Sequence, residues 1–248
     1  MNRRKHFLRA ISAVQEPDIA TCAMIIAGEF QPGLDIQGEL EAIDQLVSEA
    51  KSFPVVDAHS LVKFLSVKQS FTGNIEDYYS VSNSLLNHVL SSKRGIPITL
   101  ALVYISLVQK LKIDTQFLQT HPLTAWGINF PGHFLVAVRD SKGEHFIDPF
   151  KGCLVTREDC YSIIANLYGR DHEPDERYFK KAGSRQLLRR ILENLKAIYL
   201  RQGYASNAMA CLDYQLMLYP DAVDLLQQQD ELLIFLRDKG QSGESRLQ

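Results

Sequence analysis

Residues 131–150, "PGHFLVAVRDSKGEHFIDPF", decide the fold. Two apolar runs, "HFLVAV" and "EHFIDPF", flank "DSKG", whose Asp, Ser and Gly favour a tight turn. A turn over 140–143 sets Arg139 opposite Glu144, an opposite-charge cross-strand pair that supports this register. The same count sets Val136 opposite Ile147 and Leu135 opposite Asp148. Side chains alternate faces along a strand, so His133 falls on the face of Leu135 and Asp148. His133 and Asp148 are then diagonal neighbours, with Cα atoms roughly 7–8 Å apart, within reach of an imidazole–carboxylate contact. That is the arrangement of a base and the carboxylate that orients it, and such a pair usually serves a nucleophile. The alternative is a buried histidine after a Pro-Gly turn and an aspartate that forms the turn before Pro149.

Upstream of the hairpin, "IPITLALVYISLVQKLKI" is apolar on almost every side from residue 98 to 108, with Pro97 suited to a first helical turn. This predicts a central, buried helix. The first ninety or so residues repeat apolar positions three or four apart, in "RKHFLRAISAV", "PDIATCAMIIAGEF", "DIQGELEAIDQLVSEAKSF" and "DAHSLVKFLSVKQSF", and read as helices. After the loop "TGNIEDYYSVS" comes "NSLLNHVLSSKRG", with Asn83 as N-cap, Lys93 and Arg94 in the last turn and Gly95 just past it. Downstream, "TQFLQT" reads as a strand, "THPLTAWGINF" as a connection and "KGCLVT" as another strand. The fold class is α+β: a helical N-terminal part, and a buried helix on a small antiparallel sheet.

From "SRQLLRRILENLKAIYLRQG" to "QQQDELLIFLRDKG" the helical period returns. Leu192, Leu195, Tyr199, Ala208, Leu212 and Pro220 follow the tetratricopeptide spacing, with Lys196 at its glycine position and Leu192 at its tryptophan. One repeat cannot bury its own faces, so it should pack on what precedes it. The expected division is residues 1–181 and 182–248.

The formal net charge is −2, which argues against a general electrostatic grip on nucleic acid. No apolar run approaches ~18 residues, so no membrane span is expected. The basic opening "MNRRKHFLRAISAVQ" is a poor signal peptide, which makes the cytoplasm the expected location. Cys22, Cys153, Cys160 and Cys211 form no C-x-x-C pair, so neither a metal nor a disulfide framework is expected, and no cofactor is implied.

"NSLLNHVLSSKRGIPITLALVY", "PGHFLV", "FIDPFKG" and "NLKAIYLRQGYASNAMACLDYQLMLYPDA", in this order between residues 35 and 238, resemble the SirB-like family of bacterial transglutaminase-like proteins with C-terminal tetratricopeptide helices. A similar domain occurs in some eukaryotic F-box proteins. The resemblance implies a transglutaminase-like, papain-related core. In such hydrolases a cysteine opens the buried helix, where the N-terminal dipole favours thiolate, and a histidine and an aspartate follow on neighbouring strands.

By resemblance, His133 matches that histidine and Asp148 that aspartate. The cysteine position falls at Pro97, or at Ile96 or Ile98 if the alignment slips by one, and none of these can attack a carbonyl. Thr99 offers a hydroxyl that can equally cap the helix, and Cys153 is the thiol closest in sequence to Asp148. Cys22, Cys160 and Cys211 read as small core residues. His121 and Trp126 either line a cleft near His133 or pack within the connection. The expected function is a non-catalytic transglutaminase-like protein that binds a protein or peptide through its cleft and tetratricopeptide helices. The alternative is a hydrolase or amidase in which His133 and Asp148 serve a displaced nucleophile or an activated water.

Overall fold

The computed structural model describes residues 2–12, 16–112, 122–169 and 175–244. Helices α1 (Arg3–Ser12), α2 (Ile19–Phe30) and α3 (Ile36–Ser52) follow the three-to-four apolar spacing. The carboxylates of Asp18 and Asp35 cap the latter two by accepting from first-turn N–H groups. The fourth segment begins as α4 (Ala58–Val62) and continues as a π-helix, Lys63–Lys68. Then come α5 (Leu86–Ser92), α6 (Pro97–Leu111), α7 (Arg157–Tyr168), α8 (Ser184–Arg201), α9 (Ala205–Leu218) and α10 (Val223–Glu244).

The 140–143 turn and the hairpin register are as the sequence predicts. Strands β4 (Leu135–Asp140) and β5 (Gly143–Asp148) pair Val136 with Ile147 and Arg139 with Glu144, and the latter side chains meet at 3.1 Å. With β3 (Thr124–Ile128), β6 (Cys153–Val155) and β7 (Lys181–Ala182) they form an antiparallel sheet in the order β6-β5-β4-β3-β7. Val136, Val138 and Ile147 face the main core, where α6 packs on β3 and β4. Leu135, Ala137 and Phe146 face the other way, under Cys160 and Ile164 of α7. As expected, α6 is buried on every side: all residues from Pro97 to Val108 are buried.

Three local expectations are corrected. "TAWGI" is not a connection but an inner strand, β3. It reads poorly as a strand because Gly127 carries no side chain, and packing is the reason: a Cβ there would lie 2.7 Å from the Phe134 ring and 2.9 Å from Leu187. Asn83 does not cap α5. It lies in a 3₁₀ turn, Val81–Ser84, where its buried amide donates to the carbonyls of Asp77 and Tyr78. Lys93, not Gly95, takes the left-handed conformation after α5, at φ 61°. Gly95 instead belongs to β2 (Arg94–Gly95), parallel to β1 (Thr72–Gly73), where a Cβ would crowd Thr99 Oγ1 at 2.9 Å. The "TQFLQT" strand and His121 lie outside the described residues.

At the C-terminal end α8 packs on α2 and α6, and α9 lies against α8 and reaches α1 and α2. One hydrophobic cluster runs from Phe7 through α6 to Leu232, with members on both sides of residues 181–182. The helices after residue 182 therefore bury their inner faces on the preceding part of the chain. Among the described residues no helix is long and apolar enough to cross a membrane.

Candidate functional site

His133 lies just before β4, its backbone N–H bonded to the carbonyl of Phe130. Its Nε2 is 3.0 Å from Asp148 Oδ1. The contact has the length of an ion pair, but the ring N–H is not aligned on that oxygen, and Nε2 makes no hydrogen bond among the described residues. Asp148 is fully buried at the end of β5. Its Oδ1 accepts from the backbone N–H groups of Phe150 and Lys151, both at 3.0 Å, and so holds the turn into β6. Among the described residues its Oδ2 has no hydrogen bond, and Lys151 Nζ lies 3.8 Å from it. Burial pushes the Asp148 carboxyl up, but His133 and the two backbone donors outweigh it and hold the group below the usual aspartate range.

At the start of α6, Pro97 is the first helical residue and is buried between buried Ile96 and Ile98. Thr99 Oγ1 is fully occupied. It donates to the carbonyl of Asn83 at 2.6 Å, lies 3.1 Å from that of Ile96 and accepts from Ile96 N–H. This side chain closes the helix end that aliphatic Ile96 cannot cap, so its hydroxyl is a cap. Cys22, Cys160 and Cys211 are buried on helices, and burial raises their thiol pKa values.

Cys153 stands directly opposite Asp148 in the β5–β6 ladder and is exposed. Partial burial of its thiol and the Asp148 carboxylate both raise its pKa, the reverse of what an attacking thiolate needs. Iodoacetamide should therefore alkylate Cys153 more slowly at pH 7 than a free cysteine, and faster in Asp148→Asn. Rapid labelling already at pH 6 would overturn this assignment. Trp126 sits in β3 with the Arg139 guanidinium over its ring, and it packs against the outer-face cluster. Among the described residues no three of His, Cys, Asp and Glu converge as a metal site requires.

Sequence spacing gives no sign of what lies beneath and beside the pair. Tyr104 of α6 is fully buried with its hydroxyl 2.6 Å from Ser66 Oγ, which the π-helix presents. Ser66 in turn abuts Gly152, which is left-handed at φ 69° and has no room for a Cβ. On the other side Phe150 packs edge-on against Tyr78 at 5.8 Å, its ring pressed so close to Gly73 that a Cβ there would lie at 2.5 Å. Tyr78, Tyr79 and Ile96 form one wall of a small cavity of about 70 Å³ whose other wall is α8.

A buried helix with a His–Asp hairpin beside it is the transglutaminase-like plan, and the comparisons agree. The model of the Transglutaminase-like superfamily matches residues 35–193. This chain belongs to that superfamily. It also belongs with the UPF0162 proteins. It is 30% identical over 236 residues to one from Xylella fastidiosa, covering 91% of this chain and 79% of the relative. To UPF0162 protein PA3419 of Pseudomonas aeruginosa it is 28% identical over 197 residues, covering 77% of this chain and 68% of that one. Over 199 residues it is 31% identical to F-box only protein 21 of Homo sapiens, covering 73% of this chain but 28% of that protein. No solved structure matches the chain. In this chain the His133–Asp148 contact lies within the matched range, and Pro97 is the first residue of α6.

Proposed function

We propose that this protein is a non-catalytic, SirB-like member of the superfamily that acts by binding a protein or peptide. The observation that carries this reading is the start of α6, where Ile96, Pro97 and Ile98 are buried hydrocarbon and the Thr99 hydroxyl is used in capping. The structural part played by Asp148 requires no turnover. Asp148 shapes the turn that carries Phe150, and Phe150 supports the Tyr78 wall of the cavity. The tetratricopeptide-like reading of α8 and α9 is supported by burial of Leu192, Leu195, Tyr199, Ala208 and Leu212, with Pro220 after α9.

The second reading is a hydrolase or amidase with His133 as general base for a displaced nucleophile or water. It draws support from the absence of aligned hydrogen bonds at His133 Nε2 and Asp148 Oδ2. A panel of p-nitrophenyl esters and glutamine γ-anilides separates the two. The binding reading expects background release by the wild type and no change in His133→Ala, whereas release that disappears in that variant would establish the hydrolase.

A further inference from the structure

We propose that the cavity between the Tyr78–Tyr79 segment, the start of α6 and α8 is a binding site for a peptide carboxylate, received by Arg201 and Asn194. The inference deepens the binding reading above and rests on it.

The cavity is small, about 70 Å³, well below the roughly 300–1,000 Å³ of pockets that enclose a whole small molecule but enough for a carboxylate group, and its lining includes Tyr78, Tyr79, Ile96, Asn194, Ala197 and Arg201. Aliphatic and aromatic walls flank two strong polar groups, Arg201 and Asn194, that make no hydrogen bond among the described residues. Among the described residues Arg201 has no ion pair and no hydrogen bond, and its charge meets only the face of Tyr79, 4.3 Å away. A guanidinium stacked on a ring is held in plane while its N–H edge stays free, which presents a fork for two oxygens. The side-chain amide of Asn194 likewise has no partner among the described residues. Asn194 is half-buried and Arg201 is exposed at the cavity mouth, so a ligand would meet the amide inside and the guanidinium at the rim.

Charge selects the ligand class. A carboxylate brings one negative charge and a planar pair of oxygens, which match one guanidinium. A phosphate would leave charge uncompensated, because the neighbouring Arg190 is already paired with Glu193 at 3.5 Å. The apolar walls favour a hydrocarbon side chain beside the carboxylate, as in a peptide terminus or next to an internal acidic residue.

The test is a titration of the full-length chain by ¹H–¹⁵N NMR, following the Arg201 Nε and Asn194 side-chain signals. The probes are N-acetyl-leucine, N-acetyl-glutamic acid α-amide and the neutral N-acetyl-leucinamide. At least one carboxylate should give saturable shifts at both reporters. Its Kd should rise about tenfold in Arg201→Gln, the scale of one hydrogen bond to a charged group, and rise with added salt. The neutral amide should leave both signals in place. Preference for N-acetyl-leucine marks a partner's C-terminus, and preference for the glutamic acid amide marks an internal acidic residue. Absence of saturation with both carboxylates, equal binding of the neutral amide, or an unchanged Kd in Arg201→Gln would overturn the proposal. Arg201 is exposed, so Arg201→Gln should fold, and Asn194→Ala provides a second variant. A failed titration leaves the loss of the nucleophile untouched, while His133-dependent hydrolysis would remove the binding-module reading without altering the titration.

Discussion

Replacing Asp148 with alanine is expected to lower the unfolding free energy by about 3–5 kcal/mol, the range for removing one partner of a buried ionic contact. The carboxylate is fully buried, and its loss leaves the N–H groups of Phe150 and Lys151 without their acceptor and the imidazole of His133 without its charged neighbour. Asp148→Asn keeps an oxygen for the two backbone donors and should cost about 1–2 kcal/mol. The two variants also differ from wild type in their response to acid. The Asp148 carboxyl is held below its unfolded-state value, because His133 and the backbone donors outweigh burial. Its contribution is therefore complete above the unfolded pKa of about 4 and is lost as the pH falls through the lower native value. Urea unfolding followed by circular dichroism at pH 7, 5 and 3 should show a steeper loss for wild type between pH 5 and 3 than for Asp148→Asn. A cost under 1 kcal/mol for Asp148→Ala at pH 7 would mean that the turn stands without its carboxylate.

The hairpin was legible to the residue because two independent signals agree there, the period-two alternation and the Arg139–Glu144 pair. The proximity of His133 and Asp148 followed from that register alone. The buried helix was legible because a run that is apolar on all sides has no solvent face to present. What escaped was set by contacts between distant segments. Gly127 weakens the strand signal of β3, and its reason for being there, the Phe134 ring and Leu187, is visible only after folding. A two-residue strand such as β7 is too short to show any period, and nothing in "KFLSVK" distinguishes a π-helix from the α-helix that precedes it. The Arg201 cavity joins residues more than a hundred positions apart. Its one signal in the sequence is the pair Tyr78–Tyr79 within the loop "TGNIEDYYSVS", which carries no period.

Tyr104→Ala should be comparably costly, about 3–5 kcal/mol by analogy with other buried aromatic truncations. The ring is among the largest fully buried side chains and lies in the middle of α6. Burial pushes its hydroxyl up to about 12, so it stays protonated at neutral pH and remains able to donate to Ser66. Tyr104→Phe removes only that hydrogen bond and should cost about 1 kcal/mol, since half-exposed Ser66 can turn to water. The contrast separates packing from the hydroxyl, and thermal unfolding of the two variants measures it. The expected consequence extends beyond stability. Ser66 bears on Gly152, Gly152 closes the turn that Asp148 holds, and that turn places Phe150 against Tyr78. A cavity left by Tyr104→Ala lets the π-helix and this turn relax together. The folded variant should therefore bind N-acetylated carboxylate probes at Arg201 more weakly, while Tyr104→Phe binds as wild type does. Equal affinity in Tyr104→Ala would show that the wall formed by Tyr78 is held by its own segment and not by the turn after Asp148.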